Sequence, residues 1–247
     1  MHEPDFDVAQ RLAAMARNLL SQNDVASTLE RACQLAAGVV DGCEHAGVWQ
    51  VQRGGDIETA AASNTLLYHI ATVENDLGEG PCRDALWHES VVHLEDTDAE
   101  SRWPRYAARL AGDGVGSMLC FQLFVREDTL GVLSLVSGQA SVFDEAARET
   151  GLMFASHAAI ALAGAQSQSH LSQAVRSRQL IGEAVGLLAD RYGMSTDAAF
   201  GLLARVSQEC NTKVRELAAR LVNDHNQAHA RQPGGHGDIG GIPRLTD

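Results

Sequence analysis

Residues 171–225, LSQAVRSRQLIGEAVGLLADRYGMSTDAAFGLLARVSQECNTKVRELAARLVNDH, read as three short helices in succession. Gly193 can take the left-handed conformation that closes the first. Ser195 is placed to cap the second, with Asp197 favourable in its first turn. Asn211 or Thr212 can cap the third, whose apolar face is Val214, Leu217, Ala218, Leu221 and Val222 at spacings of three and four. Small, cationic and amide side chains stand where packing alone does not require them. Ala184 and Gly186 either permit close helix packing or let a backbone or base approach the helix surface. Ser207 and Asn211, four apart, either present polar groups on one side or bond the backbone. Lys213 and Arg215 are solvated surface or phosphate anchors.

The first helix carries Arg178, Ile181, Ala184, Gly186 and Leu188, and the next two carry Ala198, Phe200, Leu203, Ser207, Asn211 and Ala218. In that order and spacing these residues resemble the ANTAR family of RNA-binding output modules. Two positions depart from the family, which usually has a lysine between the alanine and glycine and an arginine after the Phe-x-x-Leu stretch. Here they are Val185 and Ala204. The first change removes a charge that can meet phosphate; for the second, Arg205 stands one position on, about 100° further round the helix. The resemblance implies an antitermination regulator that grips tandem RNA hairpins and so stops a terminator from forming. The RNA-binding residues expected are Arg178, Ala184, Gly186, Arg191, Ser207, Asn211, Lys213 and Arg215. A glutamate at Ala184 is expected to abolish binding while leaving the fold intact.

The charge distribution agrees with a division of labour. The net charge is −13, yet residues 1–167 hold ten arginines against 24 acidic residues while residues 168–231 hold eight basic against six acidic. The acidity belongs to the first part, and the one basic balance lies in the three-helix stretch. Of its cations only Lys213 is a lysine; arginines suit bidentate phosphate contacts and stacking on unpaired bases.

Upstream, apolar periodicity predicts helices over 8–20 and 25–40, the latter capped by Asp24. Strands follow over 46–51 and 57–62 about an Arg53-Gly54-Gly55-Asp56 turn. A helical stretch over 66–73, the Gly78-Glu79-Gly80-Pro81 punctuation, a short helix through Ala85 and Trp87, a strand over 91–94, an acidic loop over 95–100 and a helix over 104–110 come next. Strands over 116–125 and 130–137 flank the Arg126-Glu127-Asp128 turn. This order predicts an α+β fold: an antiparallel sheet with helices mainly on one side and a loop-covered cavity on the other. The segment resembles the GAF family through Gly78-Glu79-Gly80-Pro81, Arg102-Trp103-Pro104, Gly114-Val115-Gly116-Ser117, Leu130-Gly131-Val132-Leu133 and Phe143-Asp144. That resemblance implies a sensor with a small-molecule ligand and leaves the ligand unnamed.

Between Asp144 and Arg191 there is no proline, so one long linking helix is expected. Met153, Ile160, Leu171, Ala174, Ile181, Val185 and Leu188 thread a heptad-like seam along it, which predicts a homodimer. The expected division is an N-terminal helix over 1–23, the GAF-like sensor over 24–165, the three-helix module over 166–230 and a disordered tail over 231–247. No apolar run reaches the roughly 20 residues of a membrane span and the start is acidic, so a cytoplasmic protein away from membranes is expected.

Five cysteines without a Cys-x-x-Cys pair read as buried free thiols. Trp49, Trp87, Trp103 and Tyr68 either line a ligand cavity or fill a core. His88 with His93, or His225 with His229, lack a third ligand, so no metal site is expected. The glycine clusters lack a Walker ending and carry acids that repel phosphate. No nucleophile elbow, kinase or zincin signature is present, so no enzyme is expected and the sequence names no cofactor. Two other readings stay open: a helix-turn-helix DNA-binding regulator built on the last two helices, or a sensor whose helical tail binds protein.

Overall fold

The computed structural model describes residues 4–52, 56–110, 112–126 and 128–230. Two compact units divide between Ser169 and His170. The expected Arg53-Gly54-Gly55 part of the hairpin turn, Glu127, and the tail over 231–247 lie outside the described residues.

The first unit opens with α1 (Pro4–Leu20) and α2 (Val25–Val39). Asp24 has extended backbone and its carboxylate accepts from Ser27 N–H at 2.9 Å, which starts α2 as expected. Strands β1 (His45–Val51) and β2 (Ile57–Ala62) form a hairpin closed by Gln52 N–H donating to Asp56 O. Then come α3 (Leu66–Leu77), α4 (Pro81–Trp87), β3 (Val91–Leu94), a 3-10 turn over Thr97–Ala99, α5 (Pro104–Leu110), β4 (Ser117–Val125) and β5 (Asp128–Ser137). All five strands pair antiparallel in the order β2-β1-β5-β4-β3.

The sheet is filled on both faces. Leu119, Phe121 and Leu123 of β4 and Leu133 and Leu135 of β5 bury against α1, α2 and the start of α6 (Glu145–Tyr192). Their strand neighbours Met118, Cys120, Val132 and Val136 point the other way and bury against α3, α4 and α5. The second face is thus covered by three helices that the sequence predicts one by one, where a loop-covered cavity is expected. Trp49 and Trp103 belong to that core, whereas Tyr68 and Trp87 are exposed. Gly151 on α6 is required by close approach, because a Cβ there would stand 2.5 Å from Cζ of Phe121.

Helix α3 runs four residues past the expected end. The polar run Glu74-Asn75-Asp76 breaks the apolar period, but two of its side chains are bound internally. Asn75 bonds both the N–H and the carbonyl of Ile57, at 2.9 and 2.7 Å.

The second unit takes the end of α6 with α7 (Thr196–Glu209) and α8 (Val214–Ala230). Its core is Ala184, Leu188, Ala199, Leu203, Ala218 and Val222. Ser195 caps α7, accepting from Ala198 N–H, and Gly193 is left-handed at φ 61°. Neither Asn211 nor Thr212 caps α8, contrary to expectation. Asn211 takes φ 47° just past α7, and the carbonyl of Lys213 receives the first N–H bonds of α8.

Among the described residues no helix is long and apolar enough to cross a membrane.

Candidate nucleic-acid interface and sensor interior

In the second unit the expected RNA-binding residues fall in two places. Arg178, Gly186 and Arg191 are exposed on α6; Arg178 and Arg191 are thirteen residues apart, about 20 Å along a helix. Asn211 and Lys213 are exposed and Arg215 half-buried around the α7–α8 turn. Arg191 also lies over the ring of Tyr192, 5.9 Å from its centroid.

Two of the expected residues have packing roles. Ala184 is fully buried in the three-helix core. A glutamate there would place a charge among apolar side chains, so the expectation that it would spare the fold is corrected. Ser207 is half-buried, and its hydroxyl donates to the carbonyl of Thr212 while its own carbonyl accepts from Thr212 N–H. It ties the turn that presents Asn211 and Lys213.

Gly186 behaves oppositely to Ala184. A Cβ built on it meets nothing within 4 Å, so packing does not demand a glycine. Tyr192 and Phe200 are exposed aromatics at 59% and 49%. They were not singled out as binding residues in the sequence; an aromatic outside the apolar period of its helix was the available signal. Leu188, Tyr192, Leu203, Val206, Leu217 and Arg220 line an open groove of about 360 Å³ in this unit.

The dimer seam also needs correction. Met153, Ile160, Leu171 and Ala174 are exposed, but Leu188 is buried in the three-helix core and Ile181 and Val185 pack against it. Helices α7 and α8 occupy the last part of the seam, which leaves its exposed part over residues 153–174.

In the first unit the Gly78-Glu79-Gly80-Pro81 segment is a set of helix-end devices. Gly78 closes α3 in the left-handed conformation and Pro81 opens α4. Glu79 Oε1 accepts from the N–H groups of Arg105 and Tyr106 at 2.9 and 3.0 Å, which satisfies the start of α5. Glu74 reaches back from α3 to accept from Cys82 N–H at 3.2 Å and Arg83 N–H at 2.9 Å. Gly80 makes room for it at φ 146°, since a Cβ there would stand 2.5 Å from the carboxyl carbon. Glu74 is fully buried, and burial pushes its carboxyl up to about 7 despite those two donors.

Beneath that carboxylate lie two thiols. Cys82 Sγ is 3.6 Å from Cys120 Sγ, which is 3.2 Å from the hydroxyl of Ser134. Four of the five cysteines are buried free thiols, as the sequence predicts, and Cys210 is exposed. Burial pushes Cys33 and Cys43 up to about 12 and raises Cys82 well above its ordinary value.

The Arg102-Trp103-Pro104 segment is likewise a local brace. Arg102 stacks on Trp103 at 4.2 Å and pairs with Glu100 at 2.7 Å, while Trp103 Nε1 donates to Asp84 at 3.0 Å. An open depression of about 470 Å³ is lined by Gln50, Leu86, Trp87, Thr129 and Leu130 among others, and Arg83 stacks on Trp87 at 4.8 Å. Among the described residues no three His, Cys, Asp or Glu side chains are grouped to hold a metal ion. Desolvation is the main cause that lowers the His93 pKa; the side chain of His229 lies outside the described residues.

Comparison with known proteins matches residues 22–163 to the GAF domain and residues 169–222 to the ANTAR domain. Among solved structures, the GAF domain of an Acinetobacter phosphoenolpyruvate-protein phosphotransferase is 20% identical, with 68% of this chain and 97% of that chain covered and a TM-score of 0.50. The Stigmatella aurantiaca phytochrome photosensory core module is 13% identical, covering 84% of this chain and 46% of that one at a TM-score of 0.59. The free methionine-R-sulfoxide reductase of Neisseria meningitidis, solved with its substrate, is 18% identical over 67% of this chain and 91% of that one, with a TM-score of 0.51. At these identities the likeness is one of fold. No curated protein matches the chain.

Proposed function

Because this chain belongs to the GAF domain family and carries an ANTAR domain behind it, we propose that it is a non-catalytic, cytoplasmic antitermination regulator. The sensor spans 24–165 and the RNA-binding module 166–230, whose first helix continues from the linking helix. The module binds stem-loop RNA, with tandem hairpins gripped by the two copies of a homodimer.

The observation that carries this reading is the placement of cations and open surface. The acidic first unit is followed by a basic three-helix unit in which Arg178, Arg191 and Lys213 are exposed and Gly186 leaves its surroundings open. Arginines neutralise loop phosphates, and unpaired bases stack on exposed side chains such as Tyr192 and Phe200. Gly186 and Asn211 lie against the RNA, Arg215 adds a phosphate contact, and Ser207 acts by holding the α7–α8 turn. Leu152, Met153, Ile160, Leu171 and Val175 are exposed apolar side chains on α6, which supports pairing of that helix with its counterpart. The depression beside Trp87 is the place for a small-molecule ligand.

Crosslinking in cells followed by sequencing of the recovered RNA identifies the targets. Fluorescence anisotropy then compares tandem hairpins, a single hairpin and duplex DNA on the full chain. Tandem hairpins are expected to bind tightest, with affinity falling as salt rises because phosphate contacts release counterions. Equal affinity for duplex DNA supports a helix-turn-helix reader instead, and indifference to every nucleic acid overturns the reading. Sedimentation at micromolar concentration tests the dimer; a monomer removes it.

A further inference from the structure

Helix α4 places Cys82 in its first turn, over the middle of β4, where Cys120 stands in register with Ser134 of β5. The two sulfurs are 3.6 Å apart and both side chains are fully buried. The buried Glu74 carboxylate lies at the same residue, accepting from Cys82 N–H at 3.2 Å. Packing alone accounts for a buried cysteine. It does not account for a pair of thiols in contact, with a buried proton acceptor that α3 and Gly80 hold against the backbone of one of them.

We propose that Cys82 and Cys120 form a reversible intramolecular disulfide, a redox modification site whose oxidant is hydrogen peroxide or an alkyl hydroperoxide. A disulfide has S–S of about 2.05 Å, so the sulfurs must close by about 1.5 Å. Glu74 takes the thiol proton of Cys82. As it does so the sulfur attacks one peroxide oxygen; the O–O bond breaks, leaving Cys82 as the sulfenic acid, and the departing oxygen takes the proton from Glu74 and leaves as water, or as the alcohol of an alkyl hydroperoxide. Cys120 sulfur then attacks Cys82 sulfur. The S–S bond forms as the S–O bond breaks, and hydroxide leaves with the Cys120 proton as a second water. The two thiols lose two electrons and two protons, and one hydrogen peroxide becomes two waters, or one alkyl hydroperoxide becomes an alcohol and a water. A small oxidant suits a site that larger disulfides cannot reach, and a transient dithiol is the form that disulfides take in reducing compartments. The covalent step stands on this geometry. Its use as the signal rests on the proposed regulatory function.

The test uses the full chain carrying Cys210→Ser, which removes the exposed thiol. The reduced protein is treated with hydrogen peroxide, denatured, alkylated and weighed intact, then digested. The expected product has lost two alkylatable thiols, weighs two hydrogens less before alkylation, yields a linked Cys82–Cys120 peptide, and returns to the reduced mass with dithiothreitol. Four thiols still alkylated, a stable oxygen adduct on one cysteine, or a link between Cys33 and Cys43 overturns the proposal. With Cys120→Ala, sulfenic acid at Cys82 is expected to persist and be trapped by dimedone. Glu74→Gln is expected to slow closure about a hundredfold; an unchanged rate overturns the role of Glu74. Tandem-hairpin affinity is measured on both forms. Absence of RNA binding in both counts against the RNA reading and leaves the disulfide result standing.

Discussion

Replacing Glu74 by glutamine should change how the stability of the first unit depends on pH. Burial raises the carboxyl from 4.5 to about 7 in the folded protein, while in the unfolded chain it titrates near its ordinary value. The folded state therefore holds this proton more tightly. The stability it contributes is fully present below about pH 4.5 and is lost as pH rises through about 7. Each pH unit of that window is worth about 1.4 kcal/mol, so the wild type loses about 3 kcal/mol across it through this group. Glutamine does not titrate. It keeps one carbonyl oxygen for the two N–H groups that Glu74 serves, a pH-independent cost of about 1–3 kcal/mol. The variant should thus be less stable at pH 5, and the gap should close or reverse by pH 8. Urea unfolding followed by tryptophan fluorescence reads the first unit alone, because Trp49, Trp87 and Trp103 all lie in it. Curves whose separation stays constant within about 0.5 kcal/mol from pH 5 to 8 would refute the account, since group-specific linkage requires the separation to change.

Gly80→Ala should cost at least about 2 kcal/mol in the same assay, because a Cβ at φ 146° meets the Glu74 carboxyl carbon at 2.5 Å. Ala184→Glu should prevent the second unit from folding, seen as lost helical circular dichroism while the tryptophan transition persists. Gly186→Ala should keep that unit folded and stabilise its helix by about 0.5–1 kcal/mol, since the position is open. Its affinity for tandem hairpins should nevertheless fall about tenfold, or 1.4 kcal/mol, if RNA approaches there.

Most elements were legible because each carries its own period. Asp24, Ser195 and Gly193 end or begin helices as their side chains dictate, and the strands alternate between two faces. What escaped was settled by tertiary partners. The polar end of α3 continues as helix because Asn75 finds Ile57 and Glu74 finds α4. Asn211 has the chemistry of a cap but also tolerates the left-handed turn it adopts. At the candidate interface, exposed cations were readable from charge balance, whereas Ala184 and Gly186, two residues apart on one helix, were not separable. Their spacing turns them about 200° from each other, and only the positions of α7 and α8 say which one faces inward. The contact between Cys82 and Cys120 had no local trace at all, because 38 residues separate them.

The sheet that divides the first unit is a wall one chain thick. Cys120 and Phe121 are consecutive on β4, yet one faces α4 and the other lies beneath Gly151 at the start of α6. A displacement of that strand forced from the thiol side has no slack to absorb it before it reaches the ring, because on the far side the ring touches helix backbone with no side chain between. Chemistry on one surface of the partition is therefore felt on the other without passing through any loop.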